Sequence, residues 1–225
     1  SDNEIIGFGH MHLSGTGIGC LGDIALLPVS NANQRSTFFT HDNERMHPGY
    51  YSLRLTDPDV LVELTATKRC AMHRYTFGKG AKAQLALDLA QCIGWDTPTD
   101  CMLSQESPTR LIGYRRSTGW AKDRRIYFAM DFSRPVHVER ADSMYRALLT
   151  FDNSDKPLLV KVALSPVEPN KAKANMNAEM PGWDFDAAVS KVDDEWNRQL
   201  SRIKIETNDN TRRRIFYTAM YHLMT

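Results

Sequence analysis

The chain has 225 residues, of which 42% are hydrophobic, and this suits one large folded domain or two small ones. Its 28 basic and 27 acidic residues nearly cancel, so the sequence predicts neither a nucleic-acid partner nor attraction to an anionic membrane. No apolar run approaches the ~18 residues of a membrane-spanning helix, so membrane insertion is not expected.

The first predicted strand carries His10 and His12 on one face. It stops at a glycine-rich loop that contains Gly15, Thr16 and Gly17, after which a second strand begins. Glycines at this density let backbone N–H groups approach a ligand closely. The two imidazoles and the three loop residues are therefore candidate substrate-binding residues.

A polar segment follows, and it ends at a Pro-Gly turn. It carries His41, Asp42, Asn43, Glu44 and His47. A loop at the end of a sheet is a common position for a binding site. Glu44 is therefore a candidate substrate contact, although a structural or domain-interface role is favoured for the segment as a whole.

Most of the remaining chain alternates between apolar and polar residues. Such alternation, interrupted by turn residues, predicts strands over 51–56, 60–67, 71–77, 85–89, 111–116, 124–132, 143–151 and 158–164. Two-residue periodicity with closely spaced turns is typical of an antiparallel sandwich rather than of βαβ units. The fold class is therefore predicted to be mainly β.

Helical patterns replace the alternation in the last quarter of the chain. A short helix is predicted over 168–179, and Asp184 is predicted to cap a second, longer helix with one apolar stripe. A brief strand over 203–206 is expected before a last helix, which Asn208 or Asp209 caps. The predicted inner face of this last helix comprises Ile215, Phe216, Ala219, Met220 and Leu223.

Three interpretations of His10 and His12 stay open. A His-x-His pair on one strand face is the spacing by which β-barrel metalloproteins hold iron or manganese, but the following loop supplies no carboxylate. The other two interpretations are burial with backbone hydrogen bonds and contact with the hydroxyl groups of a ligand. The loop also lacks the Lys-Ser/Thr pair of a phosphate-binding loop. Metal coordination and nucleotide binding are therefore the less favoured interpretations.

The four cysteines are Cys20, Cys70, Cys92 and Cys101, and none forms a CxxC pair. Neither a zinc site nor a disulfide framework is predicted from this spacing. A bridge between Cys92 and Cys101 in an oxidising compartment and buried free thiols are the two alternatives.

The tryptophans divide by their predicted surroundings. Trp183 and Trp196 fall in the helical part and are assigned to packing, whereas Trp120 lies in a turn and is expected to be more open. An open indole is a candidate surface for stacking against a sugar ring.

A series of motifs runs in order along the whole chain: FGHMHLSGTG at 8–17, GDIALLP at 22–28, HDNE at 41–44, PGYYS at 48–52, ELTAT at 63–67, HRYTF at 73–77, GWA at 119–121, AKAN at 172–175, PGWDFD at 181–186 and FYTAMYH at 216–222. With these motifs the sequence resembles glycoside hydrolase family 92, the calcium-dependent exo-α-mannosidases.

The resemblance implies a galactose-mutarotase-like β-sandwich, linker helices and an (α/α)6 catalytic barrel. It places the sandwich at 1–166, the helical connector at 167–207 and the start of a truncated catalytic domain at 208–225. It also implies that an N-terminal portion and most of the catalytic domain lie outside this sequence. The catalytic Glu and Asp and the Ca²⁺ ligands are then expected in the missing domain, so no catalytic or metal-binding residue is assigned here.

The resemblance further implies an inverting enzyme that removes terminal α-linked mannose from N-glycans or mannans, in a periplasmic or secreted location. The partners implied are a mannose-containing glycan and the chain's own C-terminal catalytic domain. Two alternatives stay open, a non-catalytic carbohydrate-binding or structural module and a cupin-like metal-dependent enzyme.

Overall fold

The structure is a computed structural model that describes residues 3–12, 21–140 and 145–224, and for His12 the backbone alone. The candidate residues Gly15, Thr16 and Gly17, and also Cys20, lie outside this range. The part of the predicted strand 143–151 that precedes residue 145 lies outside it as well.

Short turns connect a long series of strands. In chain order these are β1 (Glu4–Ile5), β2 (Met11–His12), β3 (Leu21–Asp23), β4 (Ala25–Pro28), β5 (Thr37–Phe38), β6 (Arg45–His47), β7 (Tyr50–Leu55), β8 (Val60–Ala66), β9 (Cys70–Phe77), β10 (Gln84–Asp88), β11 (Thr97–Ser107), β12 (Arg110–Thr118), β13 (Arg124–Phe132), β14 (His137–Arg140), β15 (Arg146–Thr150) and β16 (Leu158–Ser165). A 3-10 turn at His41–Asn43 precedes β6.

Two antiparallel sheets form the body of the molecule. The larger has the order β11-β12-β13-β16-β9-β8-β7-β6, and the smaller has the order β14-β15-β10-β4. Their facing side chains form one core, whose fully buried members include Leu26, Leu53, Leu55, Val62, Tyr75, Leu85, Leu87, Phe128, Leu149 and Val160. Burial of one large aliphatic or aromatic side chain contributes about 1.5–3 kcal/mol. The predicted antiparallel sandwich is confirmed.

Three strands of these sheets, β6, β11 and β14, were not predicted, and all three lie at sheet edges. β11 has the sequence TPTDCMLSQES, and most of its side chains are partly or fully exposed. β14 is also an edge strand. An edge strand needs no apolar alternation and tolerates proline, so its sequence lacks the pattern that identifies a central strand.

Two further expectations about strands were wrong. The continuous first strand is interrupted, because β1 and β2 are separated by Gly7, whose φ is +152°, and by an isolated bridge from Phe8 to Leu26. The segment 203–206 is irregular, and Ile203 is 53% exposed. A short apolar alternation with no neighbouring strand to pair with does not form a ladder.

Three helices follow the sandwich: α1 (Pro169–Glu179), α2 (Phe185–Leu200) and α3 (Asn210–Met224). α1 packs on the outer face of the larger sheet through Ala172 and Met176, which contact Met72 and Ala163. None of the helices within the described residues has the length and hydropathy that a membrane crossing requires.

The predicted caps of the two later helices are confirmed. The Asp184 side chain accepts a hydrogen bond from Ala187 N at 2.9 Å, and Asp209 accepts from Thr211 N at 2.9 Å. The predicted inner face of α3 is only partly buried. Met220 is buried, but Ile215 and Leu223 are 63% and 87% exposed.

Candidate functional site

A short hairpin flanks the glycine-rich segment, which itself lies outside the described residues. β2 pairs with β3, with Met11 opposite Asp23, so residues 13–20 connect two strands held at a fixed separation. Leu21 and Ile24, at either end of β3, have φ angles of +73° and +55°. Left-handed backbone costs a residue other than glycine of order 1–3 kcal/mol, and it is concentrated at functional sites. The strained hairpin therefore marks this end of the sandwich as a candidate site.

An ion-pair cluster of Asp23, Asp96, Arg115 and Arg124 anchors the hairpin. Arg115 donates to Asp23 and, at 2.8 Å, to Asp96. Arg124 donates to both oxygens of Asp23, at 2.7 and 2.8 Å, and to Asp96 at 2.8 Å. The side chains of Asp23 and Arg115 are fully buried. The cluster joins β3, the loop before β11 and strands β12 and β13.

The two arginines keep Asp96 ionised although it is largely buried. Burial alone would raise the pKa of Asp96, but hydrogen bonds and charge from Arg124 and Arg115 outweigh it, so the pKa of this carboxyl is lowered. The guanidinium of Arg115 also donates to the Leu89 carbonyl at 2.8 Å. This hydrogen bond connects the segment after β10 to β12.

A pair of exposed indoles, the tryptophan pair, lies beside this cluster. Trp95 and Trp120 are 58% and 68% exposed, and their ring centroids are 5.7 Å apart. Asp96 of the cluster follows Trp95 in sequence, and a Cβ built on Gly119 would lie 3.0 Å from Asp96 Oδ1. Two large aromatic rings on a rigid base form a surface suited to stacking against a ligand ring. The predicted openness of Trp120 is confirmed.

His10 is held from both sides of its ring. Its Nδ1 donates to the Ile24 carbonyl at 2.5 Å, so its Nε2 accepts from His73 Nε2 at 3.0 Å. The other nitrogen of His73 accepts from the Tyr75 hydroxyl at 2.6 Å. Burial lowers the pKa of His10 to about 4 and places that of His73 well below its usual value. We call His10 and His73 the histidine pair, and both are neutral near pH 7.

The hydrogen bonds of His10 bear on the three interpretations of the His-x-His pair. The backbone hydrogen bond required by the structural interpretation is present. Both ring nitrogens of His10 are engaged in hydrogen bonds, so neither has a lone pair free for a metal ion, which argues against His10 as a metal ligand. The side chain of His12 lies outside the described residues. Contact of either histidine with substrate stays a prediction.

Glu44 lies in a separate polar group at the other edge of the larger sheet. Its carboxylate accepts from Tyr51 at 2.7 Å and contacts His41 Nδ1 at 2.8 Å. These two hydrogen bonds, that from His41 first, lower the pKa of Glu44. No hydrogen bond within the described part of the chain joins Glu44 to His10 or to the ion-pair cluster, so the predicted site residues do not form one cluster.

The sequence analysis missed the residues that organise the site. Arg115 lies on the same face of β12 as Leu111 and Gly113, which are both buried, so it occupies a position that faces the core. A charged residue at an inward position requires a buried partner of opposite charge. This one deviation from the apolar pattern indicates a buried charge at Arg115. It does not identify the partners Asp23 and Asp96, because they are distant in sequence.

The cysteines contribute little to this site. Cys70 and Cys92 are free thiols, so the structure contains no bridge from Cys92 to Cys101. Burial raises the pKa of Cys70 to about 12 and also raises that of Cys92. Both thiols are therefore protonated and weakly nucleophilic near pH 7.

Family models and solved structures place this architecture in a known class. The model described as the glycosyl hydrolase family 92 N-terminal domain matches residues 1–165, and that of the family 92 catalytic domain matches residues 171–225. The fold and these matches define the class as the glycoside hydrolases. The chain belongs to glycosyl hydrolase family 92.

Solved structures of the family share the fold. The α-mannosidase BT3965 of Bacteroides thetaiotaomicron is 26% identical, with a TM-score of 0.86 over 97% of this chain and 34% of that protein. The inverting mannosidase BT2199 of the same species is 23% identical, with a TM-score of 0.85 over 98% of this chain and 32% of that protein, a likeness of fold alone.

A curated relative agrees in class. An uncharacterized secreted glycosidase of Arthroderma benhamiae is 23% identical over 99% of this chain and 35% of its own length. This chain therefore spans about a third of the length of the relatives that it matches.

Proposed function

We propose that the chain is the N-terminal portion of an exo-α-mannosidase that removes terminal α-linked mannose from N-glycans or mannans. Its sandwich forms one side of the active-site cleft, and the opposite side belongs to the chain's own C-terminal catalytic domain. The observation that carries this proposal is the strained hairpin with the tryptophan pair beside it, both fixed by one buried ion-pair cluster. Membership of family 92 supports the substrate class, and BT3965 has been solved with mannoimidazole bound.

The sandwich acts by positioning rather than by proton transfer. We infer that His10 holds the hairpin against β9, and that Trp120 supplies an apolar face for a sugar ring. The reaction inverts the anomeric carbon, with a water between two carboxyl groups ~6.5–9.5 Å apart. The family resemblance supports this stereochemistry and assigns those two carboxyl groups to residues beyond this chain.

Calcium is proposed for the intact enzyme only. The described residues contain no group of three or more His, Cys, Asp or Glu that could hold a metal ion. Calcium takes six to eight oxygen ligands, typically carboxylates and carbonyls. These residues do not fit the ion, so no step is assigned to it here, and its ligands are proposed in the catalytic domain.

The proposed location is periplasmic or extracellular. The family resemblance and the curated relative described as secreted support this location. The near balance of charge is compatible with a neutral glycan as the principal partner.

The purified chain is expected to release no mannose from α-linked mannobiose. The reason is that hydrolysis requires an acid and a base on either side of the glycosidic bond, and neither is assigned to this chain. Chromatographic quantification of mannose, against buffer and heat-treated protein, measures the activity. Mannose release above both controls would show that the catalytic carboxylates lie in this chain.

Replacement of Trp120 by alanine is expected to weaken binding of mannobiose by about tenfold, because it removes one of the two exposed rings. Calorimetric titration of the wild-type chain and the variant gives the comparison. Trp196→Phe is the matched control, since Trp196 packs against Tyr221 with 4.7 Å between centroids, far from the tryptophan pair in sequence.

The same titration separates a second candidate function, a non-catalytic carbohydrate-binding or structural module. The exposure of the tryptophan pair favours this candidate over the cupin-like enzyme. Saturable binding that depends on Trp120 supports a sugar-binding surface in either case. No binding by the wild-type chain would contradict the role proposed for the tryptophan pair and leave the sandwich as a scaffold.

A further inference from the structure

A second potential site lies between the larger sheet and the start of α2. A cavity of about 530 Å³ opens there, bounded by the β13–β14 connection, the β15–β16 connection and residues 183–186. Its volume falls within the range of small-ligand pockets. Its lining combines an aromatic ring, apolar side chains and charged groups, and none of these residues belongs to the ion-pair cluster or the tryptophan pair.

Part of the cavity lining is positively charged, and Arg134 has no ion-pair partner among the described residues. Arg134 is half-buried, and its Nε is buried without a hydrogen-bond partner among the described residues. Its Nη1 donates only to the Lys156 carbonyl, at 3.3 Å. Burial lowers the pKa of Arg134, and the charge of Asp152 offsets this only in part.

Lys156, whose carbonyl accepts from Arg134, adds a second positive charge. It is exposed and forms no ion pair among the described residues. The cavity is also lined by the hydroxyl-bearing residues Ser133 and Ser154. A half-buried guanidinium without an ion-pair partner is unfavourable unless an anion binds to it. Its planar arrangement of N–H donors matches the oxygens of a carboxylate or a phosphate.

Other residues of the lining suit the hydroxyl groups and ring of a sugar. Lys161 Nζ lies 4.2 Å from the centroid of the Trp183 ring, and the ring remains 37% exposed. Asp184 accepts from Ala187 N through Oδ1, and Asp186 accepts from Arg74 through Oδ1. The second oxygen of each carboxylate has no partner among the described residues and is able to accept from a hydroxyl.

We propose that this cavity binds a pyranose that carries a negatively charged substituent, either a hexuronate or a phosphorylated hexose. The anionic group binds Arg134 and Lys156, the ring packs on Trp183, and ring hydroxyls donate to Asp184 and Asp186. The proposal is independent of mannoside binding at the tryptophan pair.

Titration calorimetry of the chain at low salt tests the proposal, with mannose 6-phosphate, glucuronate, mannose and inorganic phosphate as separate probes. Saturable binding of at least one of the two acidic sugars is expected, tighter than that of mannose or of phosphate alone. The stronger of the two acidic probes identifies the anionic group. Binding should weaken as salt is added, because the contact is electrostatic.

Arg134→Gln is expected to weaken that binding by about tenfold or more, since it removes a charge-assisted hydrogen bond. Arg134→Lys keeps the charge and should retain part of the affinity, and circular dichroism verifies that each variant is folded. Trp183→Leu should weaken binding as well. Lys191→Gln is the matched control, because Lys191 is an exposed charge on α2 outside the cavity.

Three results would overturn the proposal: no binding of either acidic sugar, equal affinity for mannose and mannose 6-phosphate, or unchanged affinity in a folded Arg134→Gln variant. The readout for this cavity is the loss of acidic-sugar affinity in Arg134→Gln, a variant that keeps both members of the tryptophan pair. A negative result at this cavity would not contradict mannoside binding at the tryptophan pair. A negative result at the tryptophan pair would likewise not contradict binding of an acidic sugar here.

Discussion

The Asp23→Asn variant is expected to lose about 3–5 kcal/mol of unfolding free energy, because it leaves two guanidinium groups beside a neutral amide. Asp23 is fully buried and accepts hydrogen bonds from both Arg115 and Arg124. The amide has one oxygen to accept with, and its NH₂ group would face the two arginine donors. Urea-induced unfolding at neutral pH, monitored by circular dichroism, measures the loss.

Asp123→Asn is the matched control for this variant. Asp123 also pairs with two arginines, Arg116 and Arg125, but on the exposed surface. Exposed ion pairs are screened by water and contribute little, so this variant should unfold close to the wild-type urea concentration. Equal effects of the two substitutions would contradict the role assigned to the buried cluster.

Tryptophan fluorescence gives a second, local readout for Asp23→Asn. Trp95 precedes Asp96, and Trp120 follows Gly119, which lies against the Asp96 side chain. If the ion-pair cluster fixes the tryptophan pair, the emission of the folded variant should change before global unfolding. An emission spectrum identical to that of the wild-type protein would show that the ion-pair cluster does not position the tryptophan pair.

A buried ion-pair cluster does not by itself make a protein more stable than an apolar core would. Well-packed hydrophobic residues of similar volume often replace such groups at no cost. We therefore interpret the cluster as a positioning device. It holds three segments that are distant in sequence, around Asp23, Asp96 and residues 115–124, in one arrangement at the end of the sandwich.

The main features of the fold were accessible from the sequence because they follow from periodicity. Central strands such as β8 and β9 alternate between apolar and polar residues over most of their length, and this alternation identifies them without a structure. The edge strand β11 lacks this alternation, because all of its side chains are at least partly exposed to solvent. The caps Asp184 and Asp209 were predictable because capping depends on residues only two or three positions away.

The site was less accessible because its contacts are not local. The sequence separation between Asp23 and Arg115 is 92 residues, and that between His10 and His73 is 63 residues. Neither pairing leaves a spacing motif, since both depend on how the β2–β3 hairpin packs against the larger sheet. Glu44 was selected for its polar neighbours, and the structure gives it local partners, His41 and Tyr51.

The stability of the chain is expected to fall as the pH decreases from about 6.5 towards 5, before the carboxylates titrate. Both members of the histidine pair have a lowered pKa, that of His10 at about 4, mainly because of burial. Below pH 6.5 the unfolded chain therefore binds protons at these histidines and the folded chain does not. Stability is complete above the unfolded pKa and is lost below it, by up to ~1.4 kcal/mol per pH unit for each histidine.

Urea unfolding at several pH values between about 7.5 and 5 measures this slope. The double variant His10→Gln, His73→Gln has lower stability at neutral pH but should show a flatter dependence in this window. The lowered pKa of Asp96 affects stability only at more acidic pH, where that carboxyl begins to bind protons. His137→Gln is the matched control, because His137 is 73% exposed and its removal should leave the slope unchanged. The same slope in the wild-type protein and the double variant would show that the histidine pair does not titrate as proposed.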